Sequence, residues 1–286
     1  MIQTVAVIGA GTMGSGIALA AAIKQYPVIL CDIQNEVLDK SKKSIDHNLQ
    51  TLVEKQKISA AQKEAAWKNL TFTSSIKHCK AHLIIEAVVE KLNVKIDLFQ
   101  QLALVNNAGT ILASNTSSLS ITAIQNALTH PSRVAGLHFF NPAHIMKLVE
   151  VVQAASTSDD TAQLLMQFCR SLDKMPVLCK DAPGFIVNRV ARHYYLEAMH
   201  LVQSGAVTIE QADEALENAG FKMGPFKLMD LIGLDINLAV SQSLYEAFHH
   251  APRFKPSALQ IEKVKKNELG RKTGKGFYYY EKIAGQ

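Results

Sequence analysis

What this 286-residue chain has little of narrows it first. No apolar run approaches the roughly 18 residues that cross a bilayer as a helix, which excludes a helical membrane protein. The four cysteines, Cys31, Cys79, Cys169 and Cys179, form no C-x-x-C pair and have no histidines at ligand spacing. Neither a disulfide scaffold nor a metal site is therefore expected, and buried free thiols in a reducing compartment are. No charged-then-apolar leader and no Arg/Ser-rich presequence precedes the first strand-like segment. That predicts a cytoplasmic protein, although a mature organellar protein with its leader removed would read the same. Aromatic residues make up 7% of the chain and do not interleave with its basic residues, which argues against nucleic acid as a partner. There is no internal repeat and no low-complexity tract.

What is present is an ordinary globular composition, 48% hydrophobic and 19% charged, in a chain long enough for two domains. The net charge is +5, with Lys255, Lys263, Lys265, Lys266, Arg271, Lys272 and Lys275 crowded near the C-terminus. A solvated helix face is the plain explanation of such a run, and a small polyanionic ligand would also suit it.

The stretch "TVAVIGAGTMGSGIALAAAIKQ" reads as a β-branched strand, a glycine turn and an alanine-rich helix, and "YPVILCDI" as a second buried strand. Strand, turn, helix and strand within about 30 residues is the size of a βαβ unit. Residues 35–68 are long, polar and rich in Lys and Gln, with Ser59 as an N-cap, and read as an inserted helical hairpin. Strand patterns resume at "LTFTS", "HLIIEAVV", "TILASN", "RVAGLHFF", "IMKLVEVV" and "PVLCK", with a helix over 158–173. The alternation predicts an α/β domain with a doubly wound, mostly parallel sheet of Rossmann type over residues 1–184. Beyond "KDAPGF" the β signal stops. Helical patterns near 185–204, 208–219, 225–249 and 256–268 predict an all-α domain over 185–286, which buries its apolar faces against the first domain or another copy.

Gly9, Gly11 and Gly14 form G-x-G-x-x-G around Thr12 and Met13. Alone the pattern is weak, because any tight strand-to-helix turn uses glycine. Here a strand precedes it, a helix follows, and Asp32 ends the next strand, which completes a dinucleotide fingerprint. Gly9 permits the turn, Gly11 admits a pyrophosphate, Gly14 allows close packing, and the helix N-terminus offers N–H groups to the anion. Asp32 accepts from a ribose 2′-hydroxyl and repels a 2′-phosphate, and no arginine follows it, so NAD is preferred over NADP; a flavin is the alternative.

A second constellation lies in "GLHFFNPAHIMKLVEVV". Read as a strand, residues 145–152 send Met146, Leu148, Glu150 and Val152 to one face, so Glu150 sits among apolar neighbours. A buried carboxylate without a partner costs several kcal/mol, so Glu150 needs one unless it lies at an exposed strand end. Asn141-Pro142 reads as a turn that could bring His138 against Glu150. A carboxylate on one imidazole nitrogen fixes the tautomer and leaves the other as a base, the arrangement a dehydrogenase uses on a hydroxyl. His144, inside the turn, reads as a solvated loop histidine. Two polar clusters complete the set: Asn115, Thr116, Ser117 and Ser118 after a strand, and "DAPGFIVNR", in which Asp181 reads as a helix cap and Asn188 as a polar residue in the first turns.

With these residues assembled, the chain resembles the 3-hydroxyacyl-CoA dehydrogenase family, and within it the single-function 3-hydroxybutyryl-CoA dehydrogenases. The resemblance runs nearly end to end, through "GAGTMGSGIA", "EAVVE", "SNTSSLSI", "GLHFFNP", "MKLVEVV", "DAPGFIVNR", "MGPFKLMDLIGLD" and "GRKTGKGFY". It implies an NAD-dependent oxidation of (S)-3-hydroxyacyl-CoA in fatty acid β-oxidation or butanoate metabolism, with His138 and Glu150 catalytic and Ser117 and Asn188 on the substrate's oxygens. It also implies cofactor contacts from Asp32, Glu90, Lys95, Asn115, Ser117 and Lys272, coenzyme A contacts from Asn48 and Lys55 on the hairpin, and a homodimer formed by the C-terminal helices. Asn48 stands where relatives often carry serine, and His144 where they carry proline. Two other readings remain: a dehydrogenase of a free 3-hydroxy acid, and a non-catalytic NAD-binding or structural protein on the same fold.

Overall fold

The computed structural model describes residues 1–281, which divide into two units, Met1–Ala182 and Pro183 onward. The first is built on one eight-stranded sheet: β1 (Val5–Ile8), β2 (Val28–Cys31), β3 (Leu70–Thr73), β4 (Leu83–Glu86), β5 (Ile111–Ser114), β6 (Val134–Phe139), β7 (Leu148–Gln153) and β8 (Met175–Lys180). The spatial order is β3-β2-β1-β4-β5-β6-β7-β8. Its first six strands run parallel in the dinucleotide-binding order, with the switch point between β1 and β4.

Connection length explains the one reversal. Only residues 140–147 join β6 to β7, too few for a parallel crossover of about a dozen residues or more, so β7 returns antiparallel. Helix α6 (Asp159–Ser171) lies between β7 and β8 and restores parallel pairing. Ser158 caps α6 by accepting from the Thr161 N–H, while Asp159 and Asp160 favour its positive end.

Helix α1 (Thr12–Ile23) is buried from Gly14 to Ala22. Its small residues let it pack on β1 and β2 and also beneath the hairpin of α2 (Asn35–Glu54) and α3 (Ala60–Lys68). Ser59 and Gln62 close a reciprocal capping box at the start of α3. Ser15 donates to Ala10 O and is hydrogen-bonded to Ser41 at 2.8 Å, which ties α1 to α2 beside the glycine turn. Helices α4 (Leu92–Val105) and α5 (Ile121–Gln125) follow β4 and β5.

The second unit is helical: α7 (Val187–Gln203), α8 (Ile209–Asn218), α9 (Pro225–Ile232), α10 (Leu234–Ala247) and α11 (Ala258–Lys265), around Tyr195, Met199, Phe226, Met229 and Leu234. Buried Asp213 accepts from the N–H groups of Phe226 and Lys227 at the start of α9 and from the Tyr278 hydroxyl. Asp230 accepts from the N–H groups of Phe277 and Tyr278 and from the Tyr280 hydroxyl. A Cβ on Gly276 would lie 2.1 Å from Asp230 Oδ1, so the distant segments "MGPFKLMDLIGLD" and "GRKTGKGFY" are two halves of one packing unit.

Three expectations change. The pattern over 225–249 is two helices, because Gly233 (φ 102°) takes a conformation that L side chains rarely adopt and breaks the run. The strand expected over 145–152 begins only at Leu148. Asp181 does not cap the helix at the boundary: its Oδ2 accepts from Ser120 Oγ at 2.8 Å and the Thr122 N–H at 2.7 Å, at the start of α5, and α7 has no side-chain cap.

Candidate active site

The three glycines of the β1–α1 turn do three different jobs. Gly9 (φ 100°) faces the end of β4 so closely that a Cβ would lie 2.5 Å from Ala87 O. At Gly14 a Cβ would lie 1.7 Å from Gly9 O, so α1 packs on the turn only without a side chain. A Cβ on Gly11 would meet nothing within 4 Å, so the space there is open, as an approaching pyrophosphate would require. Helix α1 has no side-chain cap, which leaves the N–H groups of its first turn at Thr12 and Met13 for an anion.

Asp32 follows directly on β2, beside this turn. Its carboxylate accepts from the Ala10 N–H at 2.9 Å and the Gln34 N–H at 3.0 Å, and it lines a cavity of about 950 Å³ together with Gly9, Gly11, Ile33 and Val88. A second cavity of about 500 Å³, sharing Gly11 and Val37 with the first, lies among the α1 N-terminus, α2 and the β6–β7 turn. An open glycine edge, a bare helix N-terminus and a carboxylate at the strand end fit NAD, with pyrophosphate at the turn and a ribose at Asp32.

The antiparallel pairing of β6 with β7 sets His138 directly opposite Glu150, and paired residues project to the same face of the sheet. His138 Nδ1 lies 2.7 Å from Glu150 Oε2, with the two residues 6% and 1% exposed. A carboxylate only accepts, so Nδ1 carries the proton and Nε2 the lone pair, which makes Nε2 the basic nitrogen. The ring of Phe140 stands 4.5 Å from the imidazole, centroid to centroid.

The loop after β5 is organised by acids. Buried Glu86, at the end of β4, accepts from Lys95 Nζ at 2.6 Å, Ser114 Oγ at 2.6 Å and the Val88 N–H at 2.7 Å. Lys95, only 1% exposed, also reaches Glu90 at 3.1 Å. Glu90 in turn accepts from Thr116 Oγ1, from the Ser117 N–H at 3.0 Å and from Ser118 Oγ at 3.3 Å. Burial pushes the Glu90 carboxyl up, but the Lys95 charge and these hydrogen bonds outweigh burial and leave it below its ordinary value. Asn115 Oδ1 accepts from the Phe139 N–H at 2.9 Å and so fixes this loop to the strand that carries His138. Glu90, Lys95 and Asn115, expected at the cofactor, also hold the Ser117 loop in place. Glu86 was missed, although a lone carboxylate in an apolar strand is the signal that singled out Glu150.

The remaining expected residues are distributed. Asn48 lines the 500 Å³ cavity, whereas Lys55 is exposed at the C-terminal end of α2. In the helical unit, Asn188 is the second residue of α7, and Lys272 donates to both oxygens of Asp235 at 2.6 Å. Lys263, Lys266 and Lys275 are likewise paired with carboxylates, so much of the basic C-terminal run is neutralised locally. His144 lies in the turn as expected, half-buried where it lines the 500 Å³ cavity. Its turn is held by Lys174, which donates to Ala143 O at 2.7 Å and Met146 O at 2.8 Å. In sequence Lys174 is one lysine in "LDKMPV", with no signal to set it apart.

Comparison with known proteins finds one family along nearly the whole chain. The family model for the 3-hydroxyacyl-CoA dehydrogenase NAD binding domain matches residues 4–182, and that for the C-terminal domain of the same family matches 184–280. A 3-hydroxyadipyl-CoA dehydrogenase of Escherichia coli (strain K12) is 47% identical over 97% of this chain, which spans 59% of that relative's length. The mitochondrial hydroxyacyl-coenzyme A dehydrogenase of Rattus norvegicus is 43% identical over 98% of this chain and 92% of its own. Among solved structures, the (S)-3-hydroxybutyryl-CoA dehydrogenase of Ralstonia eutropha superposes with a TM-score of 0.94 at 36% identity, covering 99% of this chain and 100% of its own. The chain belongs to the 3-hydroxyacyl-CoA dehydrogenase family, with an NAD-binding domain followed by the family's C-terminal domain.

Proposed function

We propose that this protein catalyses the reversible NAD-dependent oxidation of (S)-3-hydroxyacyl-CoA to 3-oxoacyl-CoA, with short acyl chains such as 3-hydroxybutanoyl-CoA as substrates. The observation that carries the reading is the buried His138–Glu150 pair in a chain of this family. His138 Nε2 removes the proton of the C3 hydroxyl. Glu150 holds Nδ1–H and supplies the counter-charge to the imidazolium that forms. When bound, NAD takes the hydride from C3, so the C–H and O–H bonds are replaced by a C=O bond. In the reverse direction the imidazolium is the acid.

Gly11, the first turn of α1 at Thr12 and Met13, and Asp32 hold the cofactor. Glu90, Lys95, Asn115 and Ser117 are cofactor contacts in the same reading, as is Lys272, all supported by the family resemblance. Ser117 and Asn188 hydrogen-bond the substrate's oxygens. The coenzyme A arm lies along α2, a placement supported by Asn48 in the cavity wall, with Lys55 further along the helix. A homodimer through the helical unit and a cytoplasmic location belong to the same proposal.

The test is NADH consumption with acetoacetyl-CoA and with free acetoacetate. Turnover of the thioester alone supports the reading, and preference for the free acid replaces it with a 3-hydroxy acid dehydrogenase. Absence of turnover at every acyl-CoA length revives a non-catalytic protein. General base catalysis is worth about 10²- to 10⁴-fold, so His138→Gln loses that much in kcat while NADH affinity holds.

A further inference from the structure

The turn that carries His144 is firmly mounted. The Ile145 and Met146 N–H groups both donate to Pro142 O at 2.9 Å, and Lys174 grips the carbonyls on either side at Ala143 and Met146. Against α1, a Cβ on Gly16 would come within 3.1 Å of Ala143 Cβ, so the turn is seated on the helix. The half-buried ring of His144 lines the 500 Å³ cavity with Thr12, Ser44, Asn48 and Asn141, and Lys40 is the charged side chain there. Burial, then the Lys174 charge, holds the imidazole pKa below its ordinary value, so at neutral pH the ring carries one N–H donor and one lone pair.

Beside the apolar wall of Val37, Pro142, Ala143 and Ile145 and the Lys40 charge, the cavity presents hydroxyls, side-chain amides and a neutral imidazole, which match a ligand group that both donates and accepts. We infer that His144 is a specificity-determining residue that hydrogen-bonds an amide of the substrate's thioester carrier arm. The inference rests on the acyl-thioester reading above. It adds a polar contact to the carrier arm, so the enzyme favours amide-bearing thioesters over truncated ones. His144 acts on binding and takes no part in proton transfer.

The experiment compares wild type, H144A and H144N with acetoacetyl-CoA and with the S-ethyl thioester of acetoacetate, which has no amide. With acetoacetyl-CoA, H144A raises KM about 5-fold, the size of one neutral hydrogen bond, at unchanged kcat, and H144N recovers part of the loss. Both variants match wild type on the ethyl thioester and in KM for NADH. Equal losses on the two thioesters, or a rise in KM for NADH instead, overturn the inference. If wild type reduces acetoacetyl-CoA and H144A is indistinguishable from it, the inference alone fails. If wild type reduces no thioester, the functional reading fails and the inference with it.

Discussion

Glu150→Gln removes a charge and keeps the shape. The carboxylate is 1% exposed and 2.7 Å from His138 Nδ1, so water and salt screen the pair little. Two unit charges about 4 Å apart interact by about 4 kcal/mol at an effective dielectric near 20, and stripping one partner from a buried pair costs about 3–5 kcal/mol. The cost falls on the state in which His138 is an imidazolium. For oxidation that state is formed at the transition state, and about 3–5 kcal/mol corresponds to a loss of about 10²- to 10⁴-fold in kcat. KM moves little. The acidic limb of the pH–rate profile moves to lower pH, because the protonated base has lost its counter-charge. Steady-state NADH formation from 3-hydroxybutanoyl-CoA across pH measures both effects, and a thermal melt shows whether the core has survived. A kcat within about 3-fold of wild type together with an unmoved profile would refute the reasoning and leave Glu150 as a core residue.

Four further substitutions separate roles that share one site. Gly11→Ala places a Cβ in open space, so it keeps the melting temperature and raises KM for NAD by on the order of 10-fold; Gly14→Ala drives a Cβ into Gly9 O and destabilises by about 1–3 kcal/mol or more. The reverse ranking in melts and kinetics would show that the glycine turn does not meet the cofactor as described. Lys95→Met strands buried Glu86 without its cation and costs about 3–5 kcal/mol in a denaturant titration; a change below about 1 kcal/mol would mean that the pair is not buried in solution. Asp32→Ser removes the charge that opposes a 2′-phosphate, so the ratio of kcat/KM for NAD over NADP falls. An unchanged ratio would place cofactor choice elsewhere.

Helix and strand periods, with glycine punctuation, are local properties of a chain, and they were readable here. The eight strands, the hairpin with its Ser59 cap and the helices of the second unit follow the sequence pattern closely. The break at Gly233 is not legible in the sequence, because a single glycine inside a helical pattern is ambiguous until its φ is known. In sequence Asp181 reads as a cap for the helix that follows it, but its carboxylate sits beside α5 and satisfies N–H and hydroxyl donors there.

The sequence by itself determined the residue types and periods: three glycines and an aspartate at dinucleotide spacing, and a carboxylate that required a partner in an apolar strand. Tertiary structure decided the partners. An eight-residue connection forced β7 antiparallel and set His138 opposite Glu150, the β4 and β5 ends met so that Glu86, Lys95 and Glu90 shape the Ser117 loop, and Lys174 fixed His144 in a cavity wall. Hydrogen bonds and buried charges act over about 3 Å, and only the folded chain brings residues distant in sequence within that range.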